Sequence, residues 1–122
     1  METQQTLSIK TTSSVDKKSS KLAFKQLINE TIDNVFSSLG TACRQTIYDC
    51  LETKYKLKRD DIADHTVVFS EALEQIFGDA AALLEIQIMK EFCRKVPQFK
   101  YRPEEMLTFP DYANALRHFF NP

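Results

Sequence analysis

An all-α fold, a single compact bundle of about five helices, is what this chain predicts, and three observations predict it. Apolar residues recur at three- and four-residue steps along most of the sequence, the signature of helices that bury one stripe. Glycine occurs only twice, too rarely for the many tight turns of an all-β fold. Gly40, Gly78 and Pro97 fall between the periodic segments rather than inside them. With 122 residues the natural expectation is one domain, and 43% apolar residues including nine Phe are enough for a core.

Residues 1–20, METQQTLSIKTTSSVDKKSS, are rich in Ser and Thr and poor in large apolar groups. Such a segment buries too little surface to offset its ordering entropy, so a disordered tail is expected there, with the folded domain spanning 21–122. From Lys21, the positions Leu22, Leu27, Ile28, Ile32, Val35, Phe36 and Leu39 form the first helical stripe, and Gly40 suits its end. Thr41 is a candidate cap for a second helix carrying Cys43, Ile47, Cys50, Leu51 and Tyr55. KLKRDDIADHT breaks the periodicity and reads as a loop. Thr66 then caps a third helix with Phe69, Ala72, Leu73, Ile76 and Phe77. In the corner Phe77-Gly78-Asp79, a positive φ is expected at Gly78 and a carboxylate cap at Asp79. The fourth helix runs to about Val96 and stops at Pro97. Phe99 to Tyr101 alternates like a short extended piece, and RPEE starts a turn. Thr108 and Asp111 have capping-box spacing, with Pro110 in the first turn of a last helix holding Tyr112, Ala113, Leu116, Phe119 and Phe120.

Sixteen Lys and Arg against seventeen Asp and Glu give a net charge of −1, so no global field draws the chain to nucleic acid or anionic lipid. No apolar stretch opens the sequence as a signal peptide would, and none reaches the ~18 residues of a membrane span. The three cysteines contain no CxxC pair and lie on apolar helix faces, which suits reduced thiols in a cytoplasmic protein. Cys43 and Cys50 stand two turns apart, ~10.5 Å along a helix, too far to share one zinc ion. The two glycines are isolated, so no phosphate-cradling loop is present. His65 and His118 belong to no nucleophile motif. No cofactor, metal or catalytic residue is expected.

One residue breaks the pattern. On a helical wheel at ~100° per residue, Leu84, Ile86, Ile88, Met89, Phe92, Cys93 and Val96 span a broad apolar arc, and Glu85 falls near its middle. A helix so broadly apolar should be the central one. Burying an ionised carboxylate costs several kcal/mol unless it is paired and hydrogen-bonded. Lys54 and Arg44, which project from the apolar side of the second helix, are the expected partners in a structural ion pair.

Two basic clusters interleave aromatics: Lys54 to Arg59 around Tyr55, and Arg94 to Arg102 around Phe99 and Tyr101. Lys56, Lys58 and Arg59 are the candidate contacts if the chain binds nucleic acid. Asp60 and Asp61 follow the first cluster directly, and a solvated basic rim is the plainer reading. Phe119 and Phe120 diverge by ~100°, so one should pack while the other is partly exposed as a candidate protein-binding anchor.

The segment IYDCLETKYKLKRDDIADHTVVFSEALEQIFGDAAALLEIQIMKEF resembles the fifth type of Nitrosopumilus output domain, a family of small helical archaeal domains. The likeness is carried by Ile47-Tyr48, Leu51-Glu52, Leu57, Phe69, Ala72-Leu73, IFGDAA and Leu84-Glu85, with FPDY as a match to the family's C-terminal end. It extends over about Gly40 to Phe120. The chain departs from the family at FGDAA, where a second glycine or small residue is usual. The resemblance implies an archaeal source and an output role downstream of a sensor, with the signal arriving from a separate partner. The expected function is therefore a non-enzymatic cytosolic regulatory or signalling output domain acting by protein–protein interaction, with a homodimer as the other use of an exposed apolar stripe. The alternative is a nucleic-acid-binding regulator that uses the basic cluster 54–59.

Overall fold

Apolar periodicity becomes five α-helices in the computed structural model, which describes residues 13–100, 102–105 and 107–120. These are α1 (Ser13–Ser37), α2 (Thr41–Tyr55), α3 (Thr66–Phe77), α4 (Ala80–Lys95) and α5 (Phe109–Phe120). Short 3-10 helices at Arg59–Asp64 and Pro103–Glu105 join them. No strand occurs among the described residues, so the all-helical expectation holds.

α1 buries Phe24, Ile28, Ile32 and Phe36 to 1% exposure or less. It packs against α2, the Arg59–Asp64 segment, α4 and α5. α4 packs against α1, α3 and α5, so it shares the centre with α1 rather than holding it alone. Five rings, one from each helix, run in contact through the core. Tyr48 of α2 meets Phe36 of α1 at 5.4 Å, and Phe36 meets Phe69 of α3 at 6.2 Å. Phe69 then meets Phe109 of α5 at 5.3 Å, which stacks on Phe92 of α4 at 5.7 Å. Such offset and edge contacts add to the area each ring buries.

Two local expectations are corrected. α1 begins at Ser13, inside the segment 1–20 expected as a tail, and residues 1–12 lie outside the described residues. The loop 56–66 contains a 3-10 helix that buries Ile62 and Ala63. Phe99 lies in a turn, with its N–H donating to Val96 O at 2.8 Å, and its ring packs edge-on to Tyr112. Tyr101, the far end of that expected extended piece, lies outside the described residues.

The caps divide similarly. Thr108 and Asp111 form the expected box: Thr108 N–H donates to Asp111 Oδ2 at 3.0 Å, and Asp111 N–H to Thr108 Oγ1 at 3.3 Å. Asp79 makes no side-chain cap bond, because its own backbone is already helical (φ −63°, ψ −24°). An N-cap side chain reaches the N2 or N3 amide from an extended backbone. Thr41 and Thr66 are the first helical residues rather than caps; Gly40 and His65 precede them, and neither cap is closed by a side chain. Gly40 (φ 106°) and Gly78 (φ 62°) do take the positive φ that turns the chain between helices.

Candidate functional site

Glu85 is buried, 9% exposed, as the wheel implied, but its partner is not on α2. Ser70 of α3 donates its hydroxyl to Glu85 Oε2 at 2.7 Å. Arg44 instead donates to Asp33 of α1 at 2.7 Å, and Lys54 is exposed. The expected Glu85–Lys54 or Glu85–Arg44 pair is thus corrected to a Glu85–Ser70 bond. The wheel gave the angle of Glu85 on its helix but not the neighbour it meets, and α4 packs against α3 rather than presenting that face to α2. Glu85 lies in a crevice of about 710 Å³ between α3, α4 and the connection leading to α5. Glu74, Asp79, Arg102 and Thr108 also line it, with Ile86 and Met89 as apolar walls.

Asp33 is the polar hub that pattern reading missed. Its Oδ1 accepts from Arg44 Nε at 2.7 Å, Arg59 Nη2 at 2.9 Å and Tyr48 Oη at 3.0 Å. The Arg59 guanidinium also lies 4.3 Å from the Tyr48 ring centroid, a cation–π contact. Burial pushes the Asp33 carboxyl up, but the Arg44 and Tyr48 hydrogen bonds and the Arg44 and Arg59 charges outweigh it and hold the group below its ordinary value. Burial first, then the Asp33 charge, raises the Tyr48 hydroxyl to about 12, so it remains a donor across the physiological range. A second lock joins α5 to the 3-10 segment. Arg117 donates to Ala63 O, lies 3.9 Å from Asp64, and covers the Phe24 ring at 4.6 Å. Asp64 also pairs with Lys25 at 2.9 Å, the main cause of its lowered pKa.

These locks bear on the basic clusters. Of the three candidate nucleic-acid contacts, Lys56 and Lys58 are exposed, while Arg59 is held by Asp33. Lys58 and Arg59 share their crevice with Glu52 and Asp60, whose charges offset theirs. In the second cluster, Arg94 pairs with Glu91, Lys95 with Glu30 at 3.7 Å, and Arg102 with Glu105 at 3.4 Å. His65 and His118 are exposed, and the three thiols are free and half-buried. No group of three or more His, Cys, Asp or Glu side chains close enough to hold a metal ion occurs among the described residues. No described helix is long and apolar enough to cross a membrane.

Apolar surface is exposed in two places that matter. Phe120 packs edge-on to Phe24 at 6.3 Å while Phe119 stays 47% exposed. At the other end of the bundle, Val35, Leu39, Phe77, Leu83 and Leu84 line a groove of about 380 Å³, with Ser38 and Gln87 as its polar edges. Leu39 and Leu83 stand at its rim, 41% and 67% exposed. The sequence placed Leu39 on the first stripe but gave no sign of Leu83, which lies off the wheel's apolar arc.

No protein-family model matches the chain, and no curated protein or solved structure matches it. None of these comparisons supports the expected likeness to output domains.

Proposed function

We propose that this domain is a non-enzymatic regulatory module that docks a partner protein in the groove between the ends of α1, α3 and the start of α4. The observation that carries this reading is the groove itself: its lining contains no charged side chain, and its two rim leucines are both exposed, Leu83 the more so. Exposed apolar groups clustered around a concave surface mark interaction sites more often than isolated ones do. The occupant is an uncharged apolar anchor, a Leu, Met or Phe carried on a helix of another protein, because a charged anchor would be desolvated there without a counter-ion. A second copy of the chain, seating its own exposed leucines in the groove, is the other occupant to distinguish. The resemblance to output domains supports a role in relaying a signal from a separate sensor in the cytosol.

The test is affinity capture of the tagged chain from lysate of its source, with and without nuclease, comparing the native protein with Leu83→Lys. Leu83 is 67% exposed, so the variant should keep the native helical content and melting point. A defined protein captured after nuclease treatment and lost with Leu83→Lys supports the groove. Capture that survives the substitution moves the interaction to Phe119. Recovery of nucleic acid, lost at raised salt, supports the basic-cluster alternative through Lys56 and Lys58.

A further inference from the structure

Two arginines share one carboxylate oxygen where α1, α2 and the 3-10 segment meet. Asp33 Oδ1 accepts from Arg44 Nε at 2.7 Å and from Arg59 Nη2 at 2.9 Å. Neither guanidinium forms another ion pair among the described residues, so two positive charges stand side by side against one negative charge. A guanidinium carries five N–H donors in a rigid fork, and the Asp33 bonds use one from each. Both side chains reach water, 23% exposed at Arg44 and 49% at Arg59. Both are also held in place over the Tyr48 ring, with Arg59 4.3 Å and Arg44 5.5 Å from its centroid. A ligand that meets fixed guanidiniums loses less ordering entropy than one that gathers free side chains. Lys58, next in the chain to Arg59, is exposed, lines the same crevice of about 410 Å³ and forms no ion pair among the described residues.

The chemistry that completes such a pair is an oxyanion. A carboxylate brings one charge and two oxygens, which Asp33 already supplies. A phosphate monoester brings close to two charges and three acceptor oxygens, enough to bridge both forks. A long polyanion fits less well, because Glu52 and Asp60 line the crevice with Lys58 and Arg59 and repel a phosphate chain running through it. Arg44 is not part of that lining, so a single group at the fork need not enter the crevice. We infer that Arg44 and Arg59 bind one phosphate monoester group, with Lys58 as a third cation that draws it in. The site shares no residue with the apolar groove and does not depend on the docking reading. Its ligand has two sources, a phosphorylated side chain of another protein or a free phosphate ester.

Amide and arginine Nε–H resonances of the full-length chain test this, followed while phenyl phosphate, a capped Gly-pSer-Gly peptide, its unphosphorylated form and a short oligothymidylate are titrated. The expected result is saturable shifts at Arg44 and Arg59 with the two monoesters and none with the unphosphorylated peptide. Arg59→Lys keeps the charge but loses the fork, and should weaken binding by about tenfold or more. Tighter binding of Gly-pSer-Gly identifies a phosphorylated side chain as the ligand, and tighter binding of phenyl phosphate a free ester. Should Arg59→Lys fail to fold, Lys58→Gln decides the matter: Lys58 is exposed and makes no contact with Asp33, and its loss should weaken binding and flatten its dependence on added salt. Absence of saturable shifts with both monoesters overturns the inference. Shifts with the oligothymidylate alone overturn it in favour of the nucleic-acid alternative. So does unchanged affinity in folded Arg59→Lys, or in Lys58→Gln where Arg59→Lys does not fold, remove the arginine pair as the site.

Discussion

Asp33 shows how one side chain can join three segments. Its carboxylate gathers Arg44 and Tyr48 from α2 and Arg59 from the 3-10 segment, with α1 as the base. Because its folded pKa lies below the unfolded value, the stability it contributes is present above the unfolded pKa of ~3.9 and is lost as pH falls through the folded value. Asp64, lowered mainly by Lys25, acts in the same direction. Asp33→Asn should therefore lower stability at pH 7 and flatten the acid limb of a denaturation curve; a limb unchanged from the native protein would remove Asp33 from the account. Thr31 makes the opposite case. It is fully buried in α1, and its hydroxyl has no hydrogen-bond partner among the described residues. Thr31→Val keeps the shape and removes the stranded group, so urea unfolding should show a gain of about 1 kcal/mol.

At the scale of elements, much was legible and the losses have physical causes. Capping chemistry was readable where both members lie in sequence, as with Thr108 and Asp111, because a capping box is local. It failed at Asp79, where the tight corner sets a helical backbone before the side chain can act. Glu85 was legible as buried, since the wheel measures direction; its partner Ser70 was not, since the wheel has no information about the facing helix. The Asp33 hub escaped for the same reason: its partners are 11, 15 and 26 residues away. The close of α2 was missed as well. Lys56 sits in the left-handed region at φ 56°, with the next N–H, that of Leu57, returning to Leu51 O at 3.0 Å. A non-glycine residue there costs ~1–2 kcal/mol, so Lys56→Gly should raise the melting point. Gly78→Ala should lower it by a comparable free energy, about 1–3 kcal/mol, through backbone strain alone. An added Cβ at Gly78 meets no atom within 4 Å.

For the whole molecule, the aromatic chain from Tyr48 to Phe92 ties all five helices into one core and leaves function to the surface. Two surfaces differ in chemistry: an uncharged apolar groove at Leu39 and Leu83, and the paired guanidiniums of Arg44 and Arg59 at Asp33. The central claim is that the groove is a docking surface. A photo-crosslinking amino acid placed at Leu83, with the same group at Val67 as a control, tests it most directly. Both residues are exposed, 67% and 57%, but Val67 is not part of the groove lining. The account predicts a discrete crosslinked partner from position 83 and none from position 67. Equal crosslinking at both positions, or none at 83 with a discrete product from position 119, would contradict it.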